Sequence, residues 1–297
     1  MKGATFAFLA AICNSCIGIF NSFLINDGLS STEIAFWRCF IAFLLTAFLC
    51  VSHRGTRKNL KQPTIKILKY ALLSLFGIYI MYLFETSAVK LIPISLVSFL
   101  LYASGILTIL LSCALLNEKI TLKKLISIVI VLIGIVVMFI SNLKFNGNII
   151  GLLFAIIAGT GYSLYIFLNK KWKISSNIVT LFYIFAFGSI FLGIQLLIYN
   201  NSLKINYSNI IYILLLSIVP TMGGFYFTNK ALCHSTAGEV QLIEMSEPFI
   251  STLLGFLILN QTITNFELVG GIIIISGLLL FEKSGLHKTR SKCTNLQ

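Results

Sequence analysis

The segment Gly238-Glu239-Val240-Gln241-Leu242-Ile243-Glu244-Met245-Ser246-Glu247-Pro248 places three acids, an amide and a proline at the start of an otherwise apolar run over 238–259. Glu244 and Glu247 stand three residues apart, a spacing that sets two side chains on one face of a helix. At about 1.5 Å per residue, Glu247 lies roughly 14 Å into the run, near the middle of a hydrocarbon layer about 30 Å thick. A carboxylate at that depth costs about 2–3 kcal/mol on insertion scales, and two of them repel. At least one is therefore expected to carry a proton or face a cation, which suits a proton carrier or the counter-charge for an amine. Pro248 has no N–H, and its ring crowds the carbonyl of Glu244, so the helix should break beside the two acids. Hydrogen bonding between helices is the structural alternative for either glutamate, and a packing kink is the alternative for the proline. Glu239, at the boundary of the run, is expected in solvent.

Other polar groups within apolar runs extend the candidate site. Arg38 follows Trp37 a short way inside the run 33–51, with Glu33 at its start, and suits either a cargo carboxylate or an acidic partner in the protein. Tyr79, Tyr82 and Glu85 in the run 68–84 and its edge, Ser98 and Tyr102 in 93–116, and Asn14 in 3–24 are candidates to line a cavity, though tyrosines also serve packing and membrane interfaces. Gly105, preceded by Ser104, should weaken its helix.

The elements that must position these groups are membrane spans. The 297 residues are 58% hydrophobic and 10% charged, with a mean hydropathy of +0.96, whereas soluble domains carry about 25% charged residues. Ten runs approach the roughly 20 apolar residues a span needs: about 3–24, 33–51, 68–84, 93–116, 123–141, 148–168, 178–199, 210–228, 238–259 and 266–282. The fold expected is an all-α integral membrane protein of ten helices. With the N-terminus placed in the cytoplasm, the outer loops receive only Lys90, Lys144 and Lys204, and all other basic residues outside the spans fall inside. The net charge of +13 thus reports topology, with both termini cytoplasmic, rather than a nucleic-acid partner. Lys2 ahead of an apolar run resembles a signal peptide, but no small-x-small cleavage site closes it, so it is read as a retained first span. Cys13-x-x-Cys16 lacks partner histidines and reads as helix packing, so no metal or cofactor is expected.

The second half of the chain repeats the first. Leu116-Asn117-Glu118 closes one run and Leu259-Asn260-Gln261 another, 143 residues later; Gly134 and Gly277 keep the same offset, as do Gly105 and Pro248. Five spans per half put the second half into the membrane from the opposite face, so two inverted repeats are expected, over 1–145 and 146–297. Interruptions at matching places in two such repeats are the sequence pointer to a transporter's binding site. Residues with that role are Glu244, Glu247, Pro248, Arg38, Tyr82, Tyr102, Ser98, Asn14 and Gly105.

In these features the chain resembles the drug/metabolite transporter superfamily, specifically its ten-helix EamA type. The likeness rests on the five-plus-five repeat, Glu247-Pro248, the Leu116-Asn117-Glu118 closure, Gly134, Gly277 and Arg38, and it covers essentially the whole chain. It implies a secondary carrier of small metabolites, often amino acids or amines, usually outward and without ATP. Gln261 stands where that family usually ends the ninth helix with Glu, and Gly105 replaces a common proline. Two buried glutamates against one intramembrane cation favour a zwitterionic amino acid or amine over a phosphorylated cargo, with proton coupling. A lipophilic-cation efflux carrier is the alternative, and a channel, a lipid-handling protein or an intramembrane enzyme stands further off. The lone aspartate, Asp27, rules out an aspartyl dyad, and neither His-Glu-x-x-His nor a phosphate-binding Gly-x-x-x-x-Gly-Lys loop occurs. The composition suits a bacterial inner membrane.

Overall fold

A computed structural model describes residues 2–89, 91–92, 94–118, 121–140, 148–198, 207–260 and 262–283. The expected repeat boundary at 145/146, Lys90, Lys144, Lys204 and Gln261 lie outside the described residues. Nine of the described helices are long and apolar enough to cross a membrane: helix one (Lys2–Asn26), two (Ser31–Ser52), three (Thr64–Ala88), four (Leu96–Leu116), five (Leu122–Phe139), six (Ile149–Lys171), seven (Ile178–Ile198), eight (Asn209–His234) and nine (Ala237–Leu259). Helix ten, Asn265–Lys283, is shorter in its apolar part than the other nine. The protein is therefore an all-α integral membrane protein, and the bilayer explains why: with no water in hydrocarbon, a spanning backbone must satisfy its own N–H and C=O groups.

Several helices are interrupted. Helix one turns at Cys16, between Lys2–Ser15 and Ile17–Asn26. Helix four breaks at Ser104, between Ile94–Ala103 and Gly105–Leu116. Helix nine breaks at Met245 and Ser246, between Ala237–Glu244 and Glu247–Leu259. Helices three and eight widen into π-helical turns at Leu75–Ile80 and Ser217–Gly224, the latter around Pro220. The Pro248 break was expected from the missing N–H; the π-turns were not, because such a turn leaves no hydrophobic period to read.

Asn117 and Asn260 end helices four and nine in the left-handed region, at φ 54° and 52°. Their N–H groups reach back to the carbonyls of Ser112 and Gly255. Asparagine tolerates this conformation better than other side chains, which gives the repeated Leu-Asn pair its physical sense: it is a helix stop.

Helix five packs against helix ten over the most extensive contact among the described helices, and helix two packs on seven. Helix three lies on six, one on eight, and helices four and nine meet each other as well as six and one respectively. In the five–ten seam, a Cβ placed on Gly270 would stand 2.6 Å from the Gly134 carbonyl, and one on Gly277 would meet Val131 and the Ser127 carbonyl at 2.8 and 3.2 Å. Small residues let helix backbones approach where lipid gives no hydrophobic drive. Gly270→Ala should accordingly destabilise the protein by about 1–3 kcal/mol through overpacking, lowering its thermal midpoint in detergent. Gly18→Ala, which adds a methyl to open space, is the control and should leave that midpoint in place.

Candidate functional site

The three parts of the interior that hold charge sit at different heights. At the centre, the break in helix nine brings Glu247 to the first position of the second half-helix, with Pro248 buried in the same first turn. A proline near a helix start costs nothing, since N–H groups there have no intrahelical acceptor. The Tyr102 hydroxyl from helix four and the Asn14 side chain from helix one face the Glu247 carboxylate. Asn14 also packs against Gly224 of the helix-eight π-turn. Gly105, at the break in helix four, lies against Gln241 and Met245: a Cβ there would stand 2.6 Å from the Gln241 amide nitrogen. The two breaks therefore pack on each other. Ser98 is half-buried one turn before Tyr102 on helix four, and no hydrogen bond joins it to the cluster among the described residues.

Glu244 ends the first half of helix nine, 2% exposed, and both of its oxygens are taken. Tyr162 of helix six donates to one at 2.8 Å and Thr228 of helix eight to the other at 2.6 Å. Neither donor was identified from the sequence, since nothing local links Thr228 or Tyr162 to a carboxylate 16 and 82 residues away. Glu244 and Glu247 were expected to share one environment; the structure separates them by partner, with Glu244 fastened to helices six and eight and Glu247 facing helices one and four.

Toward the end of the molecule that carries the Ile25–Ser31 turn, Arg38 is 4% exposed. Its Nε donates to Thr221 Oγ1 at 3.0 Å, and its guanidinium lies over the Tyr82 ring, 4.0 Å from the centroid. Thr221 belongs to the helix-eight π-turn, so the irregular backbone serves to present a partner for the buried cation. Glu33, the alternative partner weighed for Arg38, is engaged in a capping box, accepting from the Ser30 N–H at 2.8 Å and its hydroxyl at 2.6 Å. A cleft of about 40 Å³ is lined here by Asn21, Ile34, Arg38, Tyr82, Glu85 and Thr86, among others.

The opposite end is tied by polar contacts. Glu118, just past helix four, accepts from the N–H groups of Ala237 and Gly238 at 3.0 and 3.4 Å, capping helix nine. Burial raises its pKa above the usual carboxylate range, while those two donors act the other way. Glu239, expected in solvent, is instead buried: it closes a capping box with Thr236 and pairs with Lys124 at 2.6 Å. The sequence could not show this correction, because Lys124 arrives from helix five. Lys170 donates to the carbonyls of Leu232 and Ser235 at 2.7 and 2.6 Å, closing off the end of helix eight.

Helices four and nine are thus both broken, and the breaks pack on each other beside Glu247. The EamA-like transporter family model matches residues 1–140 and 149–282, and the chain belongs to that family. An uncharacterized transporter from Archaeoglobus fulgidus is 24% identical over 91% of this chain and 94% of its own. The S-adenosylmethionine uptake transporter of Rickettsia prowazekii is 25% identical over 96% of this chain and 94% of its own. Protein PecM of Dickeya dadantii is 27% identical over 65% and 66%. One crystal structure superposes with a TM-score of 0.79 at 19% identity, covering 95% of this chain and 96% of that one, which bears on the fold alone. The protein is thus a multi-pass integral membrane transporter, not an enzyme.

The hydrogen bonds around Glu244 give a stability test. Glu244→Ala leaves the buried Thr228 hydroxyl and the part-buried Tyr162 hydroxyl without an acceptor and should cost about 1–3 kcal/mol, seen as a lower thermal midpoint. Glu244→Gln, which keeps one acceptor oxygen, should cost less.

Proposed function

We propose that this transporter carries amino acids or amine-bearing metabolites by alternating access, with the two halves of the chain acting as inverted five-helix repeats and Glu247 coupling the cycle to protons. The observation that carries the cargo reading is the charge at the Arg38 cleft and the central break: one fastened cation, Arg38, and the carboxylates Glu85 and Glu247. A phosphorylated cargo would need several cations there, and a lipophilic cation would leave Arg38 opposed to it. The naming of the Rickettsia relative for S-adenosylmethionine, an amino acid derivative, agrees with this class of cargo. Net outward movement is the direction proposed here; that relative is named for uptake, and one carrier cycle runs either way as gradients dictate.

The repeat reading draws support from exchange symmetry at the 143-residue offset. Gly134 meets Gly270, and the offset counterparts Gly277 and Ser127 meet each other. The helix stops Asn117 and Asn260, and the breaks near Ser104 and Ser246, fall at the same separation to within a residue. The π-turns begin at Leu75 and Ser217 and end at Ile80 and Gly224, again within a residue of that offset. The pairing of helix three with six and of eight with one obeys the same exchange. A two-fold relation of this kind lets two halves rock about a central site. The contacts of Glu118, Lys124 and Glu239 at one end are the ones such rocking would have to break.

Flux into proteoliposomes tests the reading, with amino acids, amines and organic cations supplied with and without an imposed pH gradient. Saturable amino-acid or amine movement driven uphill by protons is expected, and Glu247→Gln should keep exchange while losing the response to the gradient. Movement of lipophilic cations alone would assign the chain to efflux of that class instead. Unsaturable flux would point to a channel.

A further inference from the structure

The cleft beside Arg38 has a distribution of charge and hydrogen-bonding groups that the overall carrier reading does not by itself explain. Arg38 and Glu85 line it together, and each lies in the other's field, yet no salt bridge joins them. Two opposite charges in a low-dielectric interior normally collapse into contact, because an unpaired buried charge costs several kcal/mol. Arg38 is prevented from doing so. Its Nε is committed to Thr221 on helix eight, and its guanidinium plane is stacked on the Tyr82 ring. Arginine has five N–H donors in a planar fork, so the remaining ones are left for another acceptor. Glu85, one helical turn beyond Tyr82's neighbourhood on helix three, accepts no hydrogen bond among the described residues. Two further polar atoms at this cleft are buried and unsatisfied: the Asn21 side-chain oxygen from helix one, and the Tyr82 hydroxyl, which approaches Thr221 without closing a hydrogen bond to it.

Sorted by chemistry, the cleft has donors in the Arg38 fork and the Tyr82 hydroxyl, and acceptors in the Glu85 carboxylate and the Asn21 oxygen. Among the residues that line the cleft the two formal charges, Arg38 and Glu85, cancel, while Glu247 at the central break lies within the field of Glu85. A lone cation entering the cleft would oppose Arg38, and a lone anion would oppose Glu85. A group bearing an ammonium and a carboxylate on one carbon satisfies both.

We propose that Arg38, Tyr82, Glu85 and Asn21 form a subsite for the α-amino carboxylate headgroup of the cargo, Arg38 and Tyr82 receiving its carboxylate and Glu85 and Asn21 its ammonium. This rests on the amine-bearing cargo proposed above and narrows it: the cargo is zwitterionic at its headgroup, and decarboxylated amines are rejected. Glu85 is the specificity-determining residue, whereas Glu244 is occupied by Tyr162 and Thr228 and takes no part in recognition. A site built to hydrogen-bond a polar group discriminates strongly against an analogue that lacks it, since its own buried groups are then left unpaired.

The test is exchange in proteoliposomes at symmetric pH, which reads recognition without a proton driving force. The probes are the twenty common amino acids as labelled cargo, followed by competition against the best of them by its own decarboxylated amine and its own deaminated acid. Both analogues should compete at least about tenfold more weakly than the amino acid in the wild-type protein. Glu85→Gln should lose amino-acid exchange by a similar factor while Glu85→Asp recovers part of it, and Asn21→Leu should weaken exchange in the same direction. Equal competition by the amine would overturn the headgroup subsite and leave the amine-carrier reading standing. Wild-type exchange in folded Glu85→Gln would do the same. Absence of exchange for every amino acid, with amines exchanging freely, would overturn the subsite alone; absence for both classes would overturn the cargo proposal with it. The wild-type competition decides the matter even where a substitution at Glu85 impairs folding.

Discussion

Hydrocarbon offers no partner to a charged or polar group, so most such groups in the interior of this protein are paired with groups from other helices. That constraint organises the interior. Glu244 draws together helices nine, six and eight through Tyr162 and Thr228. Arg38 links helix two to eight and three through Thr221 and Tyr82. Tyr165 of helix six and Asn169 one turn on both donate to Asn229 of helix eight at 2.6 Å. The polar groups that burden each helix singly are what fix the helices relative to one another.

The same constraint governs where the backbone is irregular. Breaks at Ser104 and Ser246 and π-turns in helices three and eight all release backbone groups from regular i to i−4 bonding. Such groups are tolerated at membrane depth where they are enclosed by protein. Here the irregular segments are covered by polar side chains and by each other: Gly105 lies on Gln241 and on Met245 of the helix-nine break, Gly224 on Asn14, and Thr221 on Arg38. Outside them, the unbroken helices five and ten make a close seam through Gly134, Gly270 and Gly277. The molecule thus pairs a closely packed flank with an interior of half-helices, and the helix interruptions fall where the charges are.

The two ends of the bundle differ in how their charges are held. At one, Glu118, Glu239, Lys124 and Lys170 are consumed by helix caps, an ion pair and the carbonyls at the end of helix eight. At the other, Arg38 and Glu85 border a cleft without meeting. A helix N-terminus carries partial positive charge, so Glu118 at the start of helix nine complements it across the boundary between the two halves of the chain.

Much of this was legible in the sequence. Apolar run lengths specify membrane spans because a bilayer has one thickness, and nine of the ten runs read this way became helices of spanning length. The break beside Glu247 was legible because proline lacks an N–H, and the Leu-Asn closures because asparagine accepts the left-handed turn that stops a helix. These are local properties of single residues. What only the tertiary structure decided is which polar groups meet: that Glu244 is saturated while Glu85 is not, that Glu239 is buried against Lys124, and that Arg38 is held by Thr221 and Tyr82 rather than by an acid. Those outcomes depend on helices far apart in the chain arriving at one height and one rotation, and a hydrogen bond is settled by distances of a few tenths of an ångström that no local pattern encodes.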